Sequence, residues 1–403
     1  METKYKLAIV NSHPIQYFAP LHRRLASDPR IDLTVYFCSR QGFDEYLDPG
    51  FGVQVKYDVP LVDGFAHKFL PNLRKNDQTN GFISMVNPSI FTEFWRNRYD
   101  AVWINGHAQL YSLMSVSAAK VLGMPVITRG ETHLGLSQSP LKAALRRPVM
   151  GFFYNVLCNA CLAIGTRNRE FYLEHGIPDE KIFLAPYSVD NAYFRNLASK
   201  VDGRIGEFRA QLGLPVDRPL ILFASKFERR KRADDLLEAY RMLRERGGEA
   251  ALVFVGKGEM ESELRRGVAS KSIPDVYFLG FRNQSELPEL YRACDTFVLP
   301  SHDEPWGLIV NEVMACGRPV VVSDEVGSVA DLVEHGRNGF TFPVGDVEQL
   351  SQHLETLMAD PGLRERMGEE SLRIISSWDI DDSAQGVLRA LDWLDRSGRK
   401  SRD

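Results

Sequence analysis

Two carboxylates, Glu304 and Glu312, stand eight residues apart in the run SHDEPWGLIVNEVMACG. A carboxylate accepts hydrogen bonds from neighbouring hydroxyls through two oxygens, each charged contact being worth on the order of 1.5 to 3 kcal/mol. A pair of them in one cleft therefore suits the gripping of a sugar; the alternative is a loop acid and a helix acid with structural partners. Upstream, Lys226 and Lys231 flank a loop in KFERRKRADDLLEAY that opens a helix. Helix N-termini attract phosphate through free amides and the helix dipole, and an ammonium adds a full charge. A solvated basic helix start fits Arg229, Arg230 and Arg232 better than it fits the two lysines. Gly256 and Gly258, in VGKGEMESEL, follow another apolar run and would let backbone approach a ligand closely, though a lone G-x-G says little by itself.

For these groups to meet, strand ends must deliver them. Short apolar runs alternate with amphipathic segments along the chain, the pattern of strands and crossover helices in parallel sheets. KLAIV, DLTVYF, AVWIN, PVIT and CLAIG read as strands of a first half, with helices at 110–122 and 139–157. LILFAS, AALVFVG, VYFLG, TFVLP and PVVVS read as strands of a second, with helices near 231–246, 259–269, 285–293 and 307–316. Runs apolar at nearly every position imply sheets covered on both faces, so the fold class is α/β with two doubly wound, Rossmann-like parallel sheets. Ligands of such sheets bind beyond the carboxyl ends of strands. Glu304 then lies in the loop after TFVLP, and Glu312 about two turns along the following helix.

A chain of 403 residues exceeds the size at which one core stops growing. The prolines and lost strand pattern around 190–218 place a boundary there, giving domains at 1–190 and 218–376, a linker at 191–217, and a terminal helix at 377–403. That helix carries Val387, Leu388, Leu391 and Leu394, which need a partner surface; packing back on the first domain would supply one. A net charge of −4 gives no reason to hold nucleic acid. Five cysteines, including Cys158 and Cys161, are scattered through apolar stretches and suit buried thiols in a reducing compartment. The first residues lack an apolar run long enough for a secretory leader, which favours the cytoplasm.

The arrangement E-x7-E, here Glu304 to Glu312, followed by Cys316, Gly317, Arg318, Pro319 and an apolar strand, resembles the retaining glycosyltransferases of family four. The resemblance covers most of the second half and, less closely, much of the first. It implies the GT-B fold, two such domains facing a central cleft, with the acceptor side in the first and a UDP- or GDP-linked sugar in the second. It further implies that Glu304 lies against the donor sugar and that Glu312 holds ribose hydroxyls. Lys231 and Lys226 would take the diphosphate, Lys226 standing where relatives usually have arginine, so that a point charge replaces a fork. Backbone at Gly256, Gly258, Phe281 and Arg282 would meet the nucleotide, and the segment Pro305, Trp306, Gly307 and Leu308 would present the helix N-terminus and its amides to donor sugar and phosphate; Trp306 could equally plug the core. No cofactor or metal is implied beyond the donor. The one D-x-D, Asp379 to Asp381, reads as a helix cap.

In the first half, His13 and Pro14 stand where many relatives have a glycine pair, which leaves His13 an acceptor-side or a structural residue. His107, in WINGHAQ, is a second acceptor-side candidate. The loop RGETHL falls where the family often places a histidine near the reacting carbon; Glu131 or His133 could take that role, Glu131 being closer to the strand end, with a structural ion pair as the alternative. LKAALRRPVMGFFYNVL mixes basic and aromatic residues and reads either as a core helix or as a peripheral contact with the inner face of an anionic membrane. The leading expectation is transfer of a hexose-type sugar to a glycan or lipid-linked acceptor in polysaccharide or glycoconjugate synthesis. A sugar-nucleotide epimerase and a catalytically silent partner protein on the same architecture are the alternatives. A dehydrogenase is disfavoured, because no G-x-G-x-x-G follows the first strand.

Overall fold

The computed structural model describes residues 4–74, 79, 81–134 and 147–400. The chain divides into two compact units. One comprises Met1–Tyr46, Val55–Ser188 and Asp379–Asp403; the other comprises Leu47–Gln54 and Val189–Trp378.

The strands of the first half are β1 (Tyr5–Asn11), β2 (Ile31–Phe37), β3 (Tyr46–Asp48), β4 (Val53–Val55), β5 (Ala66–Phe69), β6 (Ala101–Asn105), β7 (Val126–Arg129), β8 (Ala160–Ala163) and β9 (Ile182–Leu184). Seven of them form a parallel sheet in the order β5-β2-β1-β6-β7-β8-β9, while β3 and β4 pair as a separate ribbon. The strand pleat sends Leu7 and Ile9 into one apolar layer with Leu33, Val35 and Trp103, and Ala8 and Val10 into another with Val102, Ile104 and Phe94. Both faces are thus dry, which is why β1 and β6 read as continuous apolar runs. The terminal helix Ile380–Lys400 covers the first layer with Ala384, Val387, Leu388 and Leu391. It lies close to β9 because Gly386 has no side chain: a Cβ there would sit 2.2 Å from the Leu184 carbonyl oxygen.

The second unit holds β10 (Leu220–Ala224), β11 (Ala251–Val255), β12 (Val276–Phe278), β13 (Thr296–Leu299), β14 (Val320–Ser323) and β15 (Gly339–Phe342). Its parallel order is β12-β11-β10-β13-β14-β15. The chain builds outward from β10 to β12, then returns to lay β13 on the other side of β10, so the connections part between β10 and β13. The loops after these two strands are where such a sheet leaves a crevice.

Residues 191–217, expected as a linker, fold instead into this unit. Asn191–Ala198 and Ile205–Gln211 are helices. Asn191 donates to the Ile375 carbonyl at 2.9 Å, and the buried Arg209 pairs with Asp295 at 2.7 Å while donating to the Ala293 carbonyl at 2.8 Å. The expected helix at 139–157 is helical over 147–157; its first part lies outside the described residues. All five cysteines are buried and free. Burial pushes the Cys161 thiol up to about 12 and Cys158 well above its ordinary value, so both are held as unreactive thiols.

Candidate functional site

In the second unit, the loops after β10 and β13 bring opposite charges together. Lys231 ends a short helical turn, Arg229–Lys231, and its ammonium hydrogen-bonds a Glu304 carboxylate oxygen; Arg230 reaches the same oxygen at 3.1 Å. Both Lys231 and Glu304 are buried, at 8% exposure each. Burial pulls the Lys231 pKa down, and the Glu304 charge opposes that pull. The Glu304 loop is fixed from behind: Gly327 and Ser328 donate to the carbonyls of Glu304 and Trp306 at 2.9 and 3.1 Å. A Cβ at Gly327 would fall 2.0 Å from the Pro305 oxygen, so the close fit of these loops depends on glycine. The lysine expected on a diphosphate and the acid expected on a sugar are therefore direct partners. Arg230, which reads from sequence as a solvated charge, belongs with them.

Glu312 lies in the helix Leu308–Ala315, 2% exposed, where the Tyr291 hydroxyl donates to it at 2.6 Å. Sequence reasoning missed Tyr291, which is 21 residues away and carries no motif. Gly307, at φ 84°, starts this helix in the left-handed region, and its missing Cβ leaves room for Val326 and Leu299. The Trp306 ring is buried. It stacks on Trp378 with centroids 5.5 Å apart and donates to Asn311 at 3.0 Å, so packing uses the side chain and leaves the backbone as what it can offer a ligand.

The two glycines of G-K-G have a nearer neighbour than any ligand. Cβ atoms at Gly256 and Gly258 would meet the Ser225 oxygen at 2.0 Å and the Phe227 backbone at 2.7 Å. Phe227 donates to the Lys257 carbonyl at 2.9 Å and accepts from Met260 at 3.0 Å. The glycines thus clamp the loop that carries Lys226. That lysine pairs with Asp48, its ammonium 2.8 and 3.1 Å from the two carboxylate oxygens. Phe281 meets Phe51 edge to face at 4.9 Å, and Arg282 pairs with Glu286 at 2.9 Å.

In the first unit, the connections part between β1 and β6, and the loops after β1, β6 and β7 carry the remaining candidates. Burial lowers the His13 pKa to about 4, so it is neutral at physiological pH; Ser12 Oγ is 2.9 Å from its Nδ1. His107 Nδ1 is 3.0 Å from the Tyr154 hydroxyl. Of the two candidates in RGETHL, Glu131 is exposed and His133 is 2% exposed, so only Glu131 is open to a reactant. Tyr187 shares a side-chain hydrogen bond with Glu131; burial, then this neighbouring charge, pushes its hydroxyl pKa far up. Arg129, at the end of β7, is buried among Phe18, Trp103 and Tyr187, its guanidinium 4.6 Å from the Tyr187 ring centroid. Burial lowers its pKa, and Tyr187 and Glu131 counter that. Neither Arg129 nor Tyr187 is singled out from sequence, since a separation of 58 residues hides the contact.

The D-x-D acids start the terminal helix: Asp382 accepts from the Asp379 amide at 3.0 Å, and Asp381 pairs with Arg24. Among the described residues, His302, Asp303 and Glu325 form a cluster with ligand atoms within 4.8 Å, His302 placing one ring nitrogen 3.1 Å from Asp303 and the other 2.5 Å from Glu325. Among the described residues, no helix is long and apolar enough to cross a membrane.

Residues 204–373, which contain the Lys231, Glu304 and Glu312 positions, match the family described as glycosyl transferases group 1. The chain is 27% identical over 260 residues to an alpha-D-kanosaminyltransferase of Streptomyces kanamyceticus, covering 63% of this chain and 66% of that one. It is 34% identical over 211 residues to a D-inositol 3-phosphate glycosyltransferase of Streptomyces bingchenggensis, covering 49% and 45%. It is 25% identical over 304 residues to the sulfoquinovosyl transferase SQD2 of Arabidopsis thaliana, covering 73% and 56%. The matched stretches thus span about half to two thirds of these relatives. Among solved structures, Anabaena Alr3699/HepE in complex with UDP and glucose superimposes with a TM-score of 0.73 at 19% identity, over 96% of this chain and 99% of that one. Sucrose-phosphate synthase from Thermosynechococcus elongatus gives 0.70 at 19%, over 98% and 100%. The chain has the GT-B fold of these structures.

Proposed function

We propose that this chain is a retaining glycosyltransferase that moves a hexose-type sugar from a UDP- or GDP-linked donor to a glycan or lipid-linked acceptor, in the building of a polysaccharide or glycoconjugate in the cytoplasm. The observation that carries the reading is the buried Lys231–Glu304 pair, with Arg230 on the same oxygen, at the β10/β13 crevice. The group 1 match over this unit and the likeness to a structure holding UDP and glucose support it.

Transfer breaks the bond between the anomeric carbon and the diphosphate, the electron pair leaving with the phosphate oxygen. Lys231, Lys226 and the first amides of Leu308–Ala315 stabilise that charge, cations and amides supplying what a divalent ion supplies elsewhere. Glu312, fixed by Tyr291, takes the ribose hydroxyls. Glu304 shares one oxygen with two cations, which blunts it as a nucleophile, so a covalent glycosyl intermediate on it is disfavoured. The acceptor oxygen bonds to the anomeric carbon on the face the diphosphate leaves, and its proton passes to the departing phosphate. Glu131, exposed on the first unit, is assigned to the acceptor side, with Tyr187 and Arg129 holding it.

The test is incubation with UDP- and GDP-sugars, with and without acceptors. Nucleoside diphosphate release that needs an acceptor is expected; conversion of donor to an isomer without acceptor sinks the proposal. NMR of the product's anomeric proton checks retention.

A further inference from the structure

Lys226, the lysine assigned to the diphosphate, is already engaged by a segment far away in sequence. Leu47–Gln54, LDPGFGVQ, joins the second unit although its flanking residues belong to the first. β3 and β4 pair across it, and the turn holds itself: Asp48 Oδ1 accepts from the amides of Gly50 at 2.9 Å and Phe51 at 3.0 Å, and Gly52 donates to the Asp48 carbonyl at 2.8 Å. The turn then presents three things to Lys226 and its surroundings. The Asp48 carboxylate takes the ammonium with both oxygens, and the Phe51 ring lies 4.9 Å from the same nitrogen. Gly50 approaches so closely that a Cβ on it would be 2.6 Å from Lys226 Cδ and 2.7 Å from a Glu228 carboxylate oxygen. Phe51 also sets its edge against Phe281, whose backbone is assigned to the nucleotide.

An ammonium held by two carboxylate oxygens and an aromatic face has little left for a phosphate. Burial pushes the Asp48 carboxyl up, yet the hydrogen bonds from Lys226, Phe51 and Gly50 outweigh burial and hold it below its ordinary value, so it is anionic at neutral pH. We propose that Leu47–Gln54 is a strap that mimics the donor, with the Asp48 carboxylate in the place of a phosphate on Lys226 and Phe51 against Phe281, and that it must yield for a nucleoside diphosphate to bind. The inference rests on the assignment of Lys226 to the diphosphate. Its consequence is that measured affinity equals the intrinsic affinity reduced by the fraction of molecules whose strap is open.

Calorimetric titration of the full chain with UDP and with GDP tests it. Asp48→Asn removes the charge but keeps an oxygen for the Gly50 and Phe51 amides, so the turn survives; binding should tighten about 2- to 5-fold, the scale of a partly exposed ion pair. Phe51→Ala should tighten binding independently. Lys226→Ala should weaken binding, and Asp48→Asn should add nothing in that background. Hydrogen exchange at Gly50 and Phe51 should speed up when the diphosphate is added. Unchanged or weaker binding in both Asp48→Asn and Phe51→Ala overturns the strap while leaving the donor site standing. Failure of UDP and GDP to bind the wild type and every variant overturns the donor-site assignment and the strap with it.

Discussion

At the scale of single residues, the site is a set of charges held out of water by their partners. Lys231 and Glu304 offset each other's burial, with Arg230 on the same Glu304 oxygen, and breaking such a buried pair by removing one partner costs up to about 3 to 5 kcal/mol. Lys231→Met should therefore lower thermal stability as well as turnover, whereas the double change Lys231→Met, Glu304→Leu should recover much of the stability and none of the activity; melting curves beside rate measurements separate the two effects. Tyr291→Phe strips the hydroxyl donor from Glu312 and should raise the Kd for nucleoside diphosphates about tenfold, read by calorimetry. Protons give a further test in the first unit. Burial lowers the pKa of His22 to about 3 and of His13 to about 4. The unfolded chain binds these protons below about 6.5 while the folded chain does not, so stability is full above pH 6.5 and falls as the pH drops toward 4. The slope is at most about 1.4 kcal/mol per pH unit for each histidine. Denaturant titrations at pH 7 and pH 5 should show the loss, and His22→Asn should flatten it.

At the scale of elements, glycines set which loops can touch. Gly256 and Gly258 clamp the Lys226 loop, so Gly258→Ala, at φ 155° and against the Phe227 backbone, should displace that loop and weaken diphosphate binding with Glu312 intact. Gly386→Val should push the terminal helix off β9 and cost about 1 to 3 kcal/mol, seen as a lower melting temperature with nucleotide binding unchanged. The central strands were legible in the sequence because burial on both faces makes them continuous apolar runs. The edge strands β5, β9 and β15, reading AHKF, IFL and GFTF, were not, since each is short and has one side partly open. Residues 191–217 looked like a linker because their apolar residues are spaced among charges. Arg209 shows what such charges do: it is buried and pairs with Asp295. The E-x7-E spacing placed both acids on one strand, loop and helix, which sequence can read. Tyr291, Arg129, Tyr187 and the Leu47–Gln54 strap reach their places through folding alone, so no spacing records them.

At the scale of the molecule, two doubly wound sheets each place their chemistry where the strand order parts, between β1 and β6 in one and between β10 and β13 in the other. On the proposed function, the second unit takes the leaving diphosphate at Lys231, while His13, His107 and Glu131 lie on the loops after β1, β6 and β7 of the first. This division of labour also predicts selective stabilisation. UDP or GDP at 100 times its Kd should stabilise the second unit by about 2.7 kcal/mol, so calorimetric melting with nucleotide should move that unit's transition upward and leave the first unit's transition nearly in place. The most direct measurement is the rate of nucleoside diphosphate release from UDP- and GDP-sugars with acceptor present, in the wild type and in Lys231→Ala. Acceptor-dependent release in the wild type and a rate about 100-fold or more lower in the variant are the predicted results. Release at the wild-type rate in Lys231→Ala, or turnover of the donor to an isomer with no acceptor present, would contradict the assignment.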